Sequence, residues 1–152
     1  MNLITIRGGR KAQRKLVQEA IEFSLNKLLP RTTTIDIEVH LNRHIKGAEG
    51  YCSFEDHKSF ELEMDPRMSD KDLVLTVFHE MVHVRQYFKR QLRAVNFGNS
   101  QKWLGKIYDE DKVDYLKLPW EKEAFKLQEV LFKQYSKPRA AKYKVQKTMY
   151  RY

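Results

Sequence analysis

Cysteine is all but missing: Cys52 stands alone among 152 residues. An intrachain disulfide framework and a cysteine-rich zinc ribbon are therefore both excluded. Long apolar runs are missing too, and no stretch approaches the roughly 20 residues of a membrane-spanning helix. The segment Met1-Asn2-Leu3-Ile4-Thr5-Ile6-Arg7 holds too few apolar residues before Arg7 for the core of a signal peptide, so a cytoplasmic location is the default expectation. Acidic residues are absent from both ends. Arg7, Arg10, Lys11, Arg14 and Lys15 precede the first acid, Glu19, and Lys137, Arg139, Lys142, Lys144, Lys147 and Arg151 fall in an acid-free segment 136–152. The net charge of +9 is concentrated there; without those eleven cations, 18 basic residues face 20 acidic ones. Histidine is scarce, with five in the chain and none after His83.

What is present argues for a folded domain. Hydrophobic residues make up 41% and aromatics 12%, too much for wholesale disorder. The length suits one domain with a real core, read as residues 1–135 followed by a basic tail at 136–152. Gln13 to Leu29 is predicted helical, with Leu16, Val17, Ala20, Ile21, Phe23, Ser24, Leu25 and Leu28 at helical spacing and Pro30 as the stop. Thr32 to Leu41 alternates and is rich in β-formers, which predicts a strand. Gly47 and Gly50 mark a loop; Tyr51–Phe54 and Ser59–Met64 read as two short strands turned by Glu55-Asp56-His57-Lys58. A long helix is expected over Asp70–Arg90, capped by Asp70 or Ser69. Ala94 to Tyr115 reads as irregular, with Trp103–Tyr108 a short strand or ordered loop. Pro119 opens a further helix, Trp120 to about Tyr135, with Ala124, Leu127, Val130 and Leu131 inward. No internal repeat is visible, and the element order is α+β.

The Asp70–Arg90 helix carries the chemistry. His79-Glu80-Met81-Val82-His83 is an H-E-x-x-H sequence, and residues four apart on a helix stack on one face. The two imidazoles can close on one metal ion, with Glu80 within reach of a water activated there. Leu73, Val74, Val77, Phe78, Met81, Val84 and Phe88 form the apolar stripe. His79 and His83 lie on another side with Thr76, Gln86 and Tyr87, a mixed face suited to a cleft wall. Three protein ligands and one open position are usual for catalytic zinc. With no histidine after His83, a third ligand downstream has to be Asp or Glu. His57 is an upstream outsider, and His40 and His44 are placed at a strand end.

An H-E-x-x-H helix after a small sheet and before a second acidic helix resembles the catalytic domain of zincin metallopeptidases. The metzincin branch is excluded, because Lys89 stands where its third His belongs and Gln86 where its glycine belongs. Leu118-Pro119-Trp120-Glu121-Lys122-Glu123-Ala124-Phe125 resembles the second-helix motif of gluzincins, in which a Glu lies three residues before an Ala. Small phage and bacterial H-E-x-x-H proteins carry a similar pair of motifs, matched here by Trp103-Leu104-Gly105 and Pro119-Trp120-Glu121. The resemblance covers residues 50–135. It implies a small, mostly antiparallel sheet, with Phe60–Met64 as the edge strand that takes extended peptide by strand addition, and it maps the third ligand onto Glu121. Glu123, about 200° around the helix, is the rival. Gluzincins commonly have Asp after that Ala to orient a ligand His; Phe125 stands there, which leaves that role to Asp109, Asp111 or Asp114.

The activity implied is hydrolysis of peptide bonds by a zinc metallopeptidase, with Glu80 as general base and then acid. Tyr108 and Tyr115 are the candidates for a donor to the developing oxyanion. The other class of reading is a metal-binding module without proteolysis that contacts nucleic acid or protein. The tail interleaves Lys/Arg with Tyr143, Tyr150 and Tyr152, a mixture suited to phosphate contact and base stacking. SprT-like zincins, a more distant likeness, act on proteins associated with DNA; this chain lacks their third His and their zinc ribbon.

Overall fold

The structure, a computed structural model, describes residues 1–43, 50–56, 58–95 and 98–149. The first element is a strand that the sequence pattern did not signal. β1 (Leu3–Gly8) lies parallel to β2 (Asp36–Leu41), with Ile4 beside Ile37 and Ile6 beside Val39. Gly8 and Gly9, at φ +82° and +62°, turn the chain out of β1. A Cβ at Gly8 would run into the Leu41 carbonyl, so only glycine fits this crossing. α1 (Lys11–Leu28) then returns across the sheet as the connection that parallel strands require. It buries Val17, Ala20, Ile21, Leu25 and Leu28.

β3 (Gly50–Asp56) and β4 (Ser59–Met64) complete a four-stranded sheet in the order β1-β2-β4-β3. β1, β2 and β4 run parallel and β3 is antiparallel to β4. Two expectations are corrected here. The main sheet is mostly parallel, and the Phe60–Met64 strand is internal; β3 is the edge beside it. Alternating hydrophobicity fixes which face of a strand is buried, whereas neighbours and direction depend on crossovers it does not encode. Ile37, Val39, Leu41, Phe60, Leu62 and Met64 all face the helices. Glu38, His40 and Glu61 meet on the opposite face, where His40 Nε2 lies 3.3 Å from Glu38 and 3.0 Å from Glu61. That pairing accounts for His40; His44 and His57 lie outside the described residues.

α2 (Asp70–Phe88) packs on the apolar sheet face beside α1. Ser69 is its cap, accepting from the Asp72 N–H at 3.2 Å, while Asp70 and Asp72 sit in the first turn, where the helix dipole favours acids. After it, the segment expected to be irregular forms a second, antiparallel sheet of β5 (Leu92–Ala94), β6 (Ser100–Trp103) and β7 (Lys106–Asp109). Leu104 and Gly105, at φ +47° and +89°, make the two-residue turn between β6 and β7. Strands of three and four residues are too short to show a period. Leu92, Trp103, Leu118 and Trp120 form a small separate core beneath them.

α3 (Pro119–Met149) crosses α2 and is twice the expected length. The boundary drawn at Tyr135 falls inside it, with Pro138 within the helix; Tyr150 and Tyr152 lie outside the described residues. Phe23, Phe78 and Tyr135 join α1, α2 and α3 through ring contacts of 5.2 to 5.9 Å. The architecture is α+β. No described helix is long and apolar enough to cross a membrane.

Candidate metal centre

α2 presents its apolar stripe to the sheet and α1, which leaves the His79–His83 side facing α3. The two rings stack along the helix with centroids 4.9 Å apart. From the first turn of α3, Glu121 reaches both: Oε2 lies 3.0 Å from His79 Nε2 and Oε1 lies 3.0 Å from His83 Nε2. All three residues are buried, and among the described residues they are the group able to hold a metal ion.

The opposite ring nitrogens decide the tautomers. His79 Nδ1 lies 2.8 Å from Gln128 Oε1 of α3, and His83 Nδ1 lies 2.7 Å from Gln86 Oε1. The Gln86 amide is itself fixed, since its Nε2 donates to the Trp120 carbonyl at 3.0 Å and to Glu123 at 3.2 Å. Each Nδ1 therefore donates its proton to a glutamine, and each Nε2 turns toward a carboxylate oxygen. Without a cation or an added proton there, lone pairs would oppose lone pairs. Two ligands ~2.05 Å from a tetrahedral ion stand ~3.3 Å apart, so the observed 3.0 Å needs an opening of only a few tenths of an ångström. The donor set fits a divalent metal.

These outer contacts were read differently from the sequence. Asp109, Asp111 and Asp114 do not orient the histidines. Asp109 accepts from the Asp111 N–H, Asp111 accepts from Asn99, and Asp114 lies near Lys117. Gln86 and Gln128 occupy that role. Gln86 was visible on the histidine face; Gln128 becomes a partner only once α3 crosses α2. Glu123, the rival ligand, holds Gln86 and lies 3.3 Å from Arg85, away from the ring pair.

Buried charge shifts the titrations. Without a metal, and with an added proton on the imidazoles, burial alone would raise Glu121, but hydrogen bonds from His79 and His83, with Tyr115, hold it down at about 2. For His83, burial works downward, and the Glu121 hydrogen bond and charge, then Glu80, overcome it and raise it. Glu80 is raised by burial, against the pull of His83 and His79 and with a further push from Glu121. A carboxyl raised in this way is suited to taking and returning a proton.

Glu80, His79, His83 and Glu121 share a cavity of about 840 Å³ with Gly50, Cys52, Tyr87, Tyr115 and Trp120. β3 enters it closely. A Cβ on Gly50 would stand 2.8 Å from Thr76 Cγ2 and 3.5 Å from Glu80 Cγ, so glycine lets the edge strand run directly beside Glu80. Cys52 is held protonated, first by burial and then by the Glu80 charge, which disfavours a thiolate nucleophile. Tyr115 lines the cavity and its hydroxyl donates to Glu121. Tyr108 does not line it; its ring packs edge-on against Trp120 at 5.6 Å with Lys106 over its face. Pairing of β6 with β7 sets that direction, which the sequence alone did not show.

Compared with protein-family models, with curated proteins and with solved structures, the chain matches none.

Proposed function

We propose that this chain is a zinc-dependent metallopeptidase of the zincin type, gluzincin-like in its ligand set and more distantly like SprT. The observation that carries the reading is the convergence of two histidine Nε2 atoms and both Glu121 oxygens, with each Nδ1 tied to a glutamine and Glu80 buried alongside. A His₂Glu set with an open position is the arrangement of hydrolytic zinc. Zinc, when bound there, supplies Lewis acidity that lowers the pKa of water toward ~7 and polarises a carbonyl.

The chain's own groups supply the rest. Glu80, ionised, takes a proton from the attacking water and hands it to the departing amine. Tyr115, pushed well above its usual value by burial and then by Glu121, keeps its proton and remains a donor. Released from Glu121, it is the group to donate to the developing oxyanion. β3, the edge strand beside Glu80, offers backbone groups to an extended protein or peptide substrate.

The test is Glu80→Gln. It should keep about one zinc per chain and lower peptide cleavage by about 10²- to 10⁴-fold. Unchanged cleavage, or cleavage by neither protein with zinc bound to both, would overturn the hydrolytic reading.

A second reading, a metal-holding module that contacts nucleic acid through basic termini, is favoured by one feature. Arg7 and Arg10 meet Arg43 and Arg67 around a hollow of about 960 Å³. Glu61 and Glu63 line the same hollow, which weakens its pull on phosphate. Salt-dependent binding of a single-stranded oligonucleotide that is lost in Arg10→Ala/Arg43→Ala would support it.

A further inference from the structure

The metal cleft is acidic in a chain that is strongly basic. Asp72, Glu80, Glu110 and Glu121 line it, and among the described residues no Lys or Arg does. A divalent ion with its water chemistry engages Glu121 and Glu80. Glu110 belongs to neither task. It is half-buried just after β7, accepts from Gln101 Nε2 at 3.1 Å, and forms no ion pair with Lys or Arg among the described residues. Gln101 in turn accepts from the Tyr87 hydroxyl at 3.3 Å. Tyr87 stands one helical turn beyond His83, and both it and Tyr115 feel the Glu110 charge. The carboxylate is thus held on the cavity wall by a neutral chain of hydrogen bonds. A cleft lined by carboxylates of one sign focuses their field on a cationic group that enters it.

We propose that Glu110 makes the cleft selective for a substrate carrying a basic side chain, Lys or Arg, near the bond cut. The inference rests on the metallopeptidase reading for the word substrate, but its test does not. Zinc-loaded Glu80→Gln protein is titrated with Ala-Ala-Lys-Ala-Ala and with its norleucine and glutamate counterparts, following the fluorescence of Trp103 and Trp120, the two tryptophans of the chain. A charge-assisted contact predicts about tenfold or more tighter binding of the lysine peptide. Adding Glu110→Gln should shrink that preference to about twofold or less, and Glu110→Lys should turn it toward the glutamate peptide. Zinc content and circular dichroism report whether each variant has folded, and Gln101→Leu, which frees the carboxylate without removing it, should weaken the preference partway. Equal binding of the three peptides, or a lysine preference that survives Glu110→Gln, overturns the proposal. A lysine preference without hydrolysis by wild type leaves Glu110 standing and removes the peptidase; hydrolysis without the preference does the reverse.

Discussion

Two hollows of similar size treat charge in opposite ways. The one at the ends of β1, β2 and β4 is ringed by arginines, but Arg7 is paired with Glu38 at 2.9 Å and Arg67 with Asp65 at 2.7 Å, with both guanidiniums mostly exposed. Water screens such pairs and they contribute little. In the cleft between α2, α3 and β3, His79, His83, Glu80 and Glu121 are each no more than 7% exposed. Removing water from four ionisable groups is expensive, and with each Nδ1 proton given to a glutamine the two Nε2 atoms need a metal ion or added protons between them and Glu121. Volume does not distinguish the two places; buried charge short of one cation does.

The largest break in that comparison should come from the ligands. His79→Ala, His83→Ala and Glu121→Ala should each lose bound zinc by elemental analysis, whereas Glu123→Ala should largely retain it. With zinc at about 100 times its dissociation constant, binding stabilises the native state by ~2.7 kcal/mol. A chelator should therefore lower the melting temperature by roughly 5–10 °C in wild type and leave the ligand variants unmoved. Retention of stoichiometric zinc in either histidine variant would dissolve the site.

Next in size are the glutamines. Gln86→Leu and Gln128→Leu should weaken zinc affinity by about 10- to 100-fold, measured by competition with a chromophoric chelator. Gln86→Leu should do more harm, since it also frees Glu123 and the Trp120 carbonyl. Equal affinity in both variants would mean that packing alone sets the rings.

Acid separates the hollows again. A carboxyl held below its unfolded value stabilises the fold above that value and loses this contribution as the pH falls through its folded one. Glu121 and Asp65 both sit at about 2, Glu121 through the histidines despite burial and Asp65 through its hydrogen bonds with Arg67. Between about pH 4.5 and 2 the metal-free protein should lose stability, and the slope should flatten clearly in Glu121→Gln. His83 and Glu80 are raised, so their contributions fade in the other direction, as the pH climbs through their folded values. The smallest effect is expected from Asp65→Asn, whose pair is open to water; chemical denaturation across this range should show a change near the limit of measurement. A larger loss there than in Glu121→Gln would reverse the contrast.

Much of the site was legible because its parts lie close in sequence. A helix fixes the relation of His79, Glu80 and His83 through its own period, and Ser69 could be named among the caps. Glu121 entered through a motif likeness, and it could not be separated from Glu123 until the first turn of α3 was seen against α2. β1 escaped because Leu3–Gly8 acquires meaning only when β2 lies beside it. Tyr108 and Tyr115 looked equivalent in one irregular stretch, yet a hairpin turns the first onto Trp120 and a short helical turn at Tyr115–Lys117 brings the second to Glu121.

Local spacing was enough to specify an α+β chain with a histidine pair on one face of an amphipathic helix, since those relations follow from backbone geometry within a few turns. The parallel order of the sheet was decided by the crossovers between its strands, and the approach of Glu121 and the two glutamines to the rings by how α3 settles on α2. Contacts between residues about forty positions apart are set by packing of whole faces, and no period in the sequence carries that information.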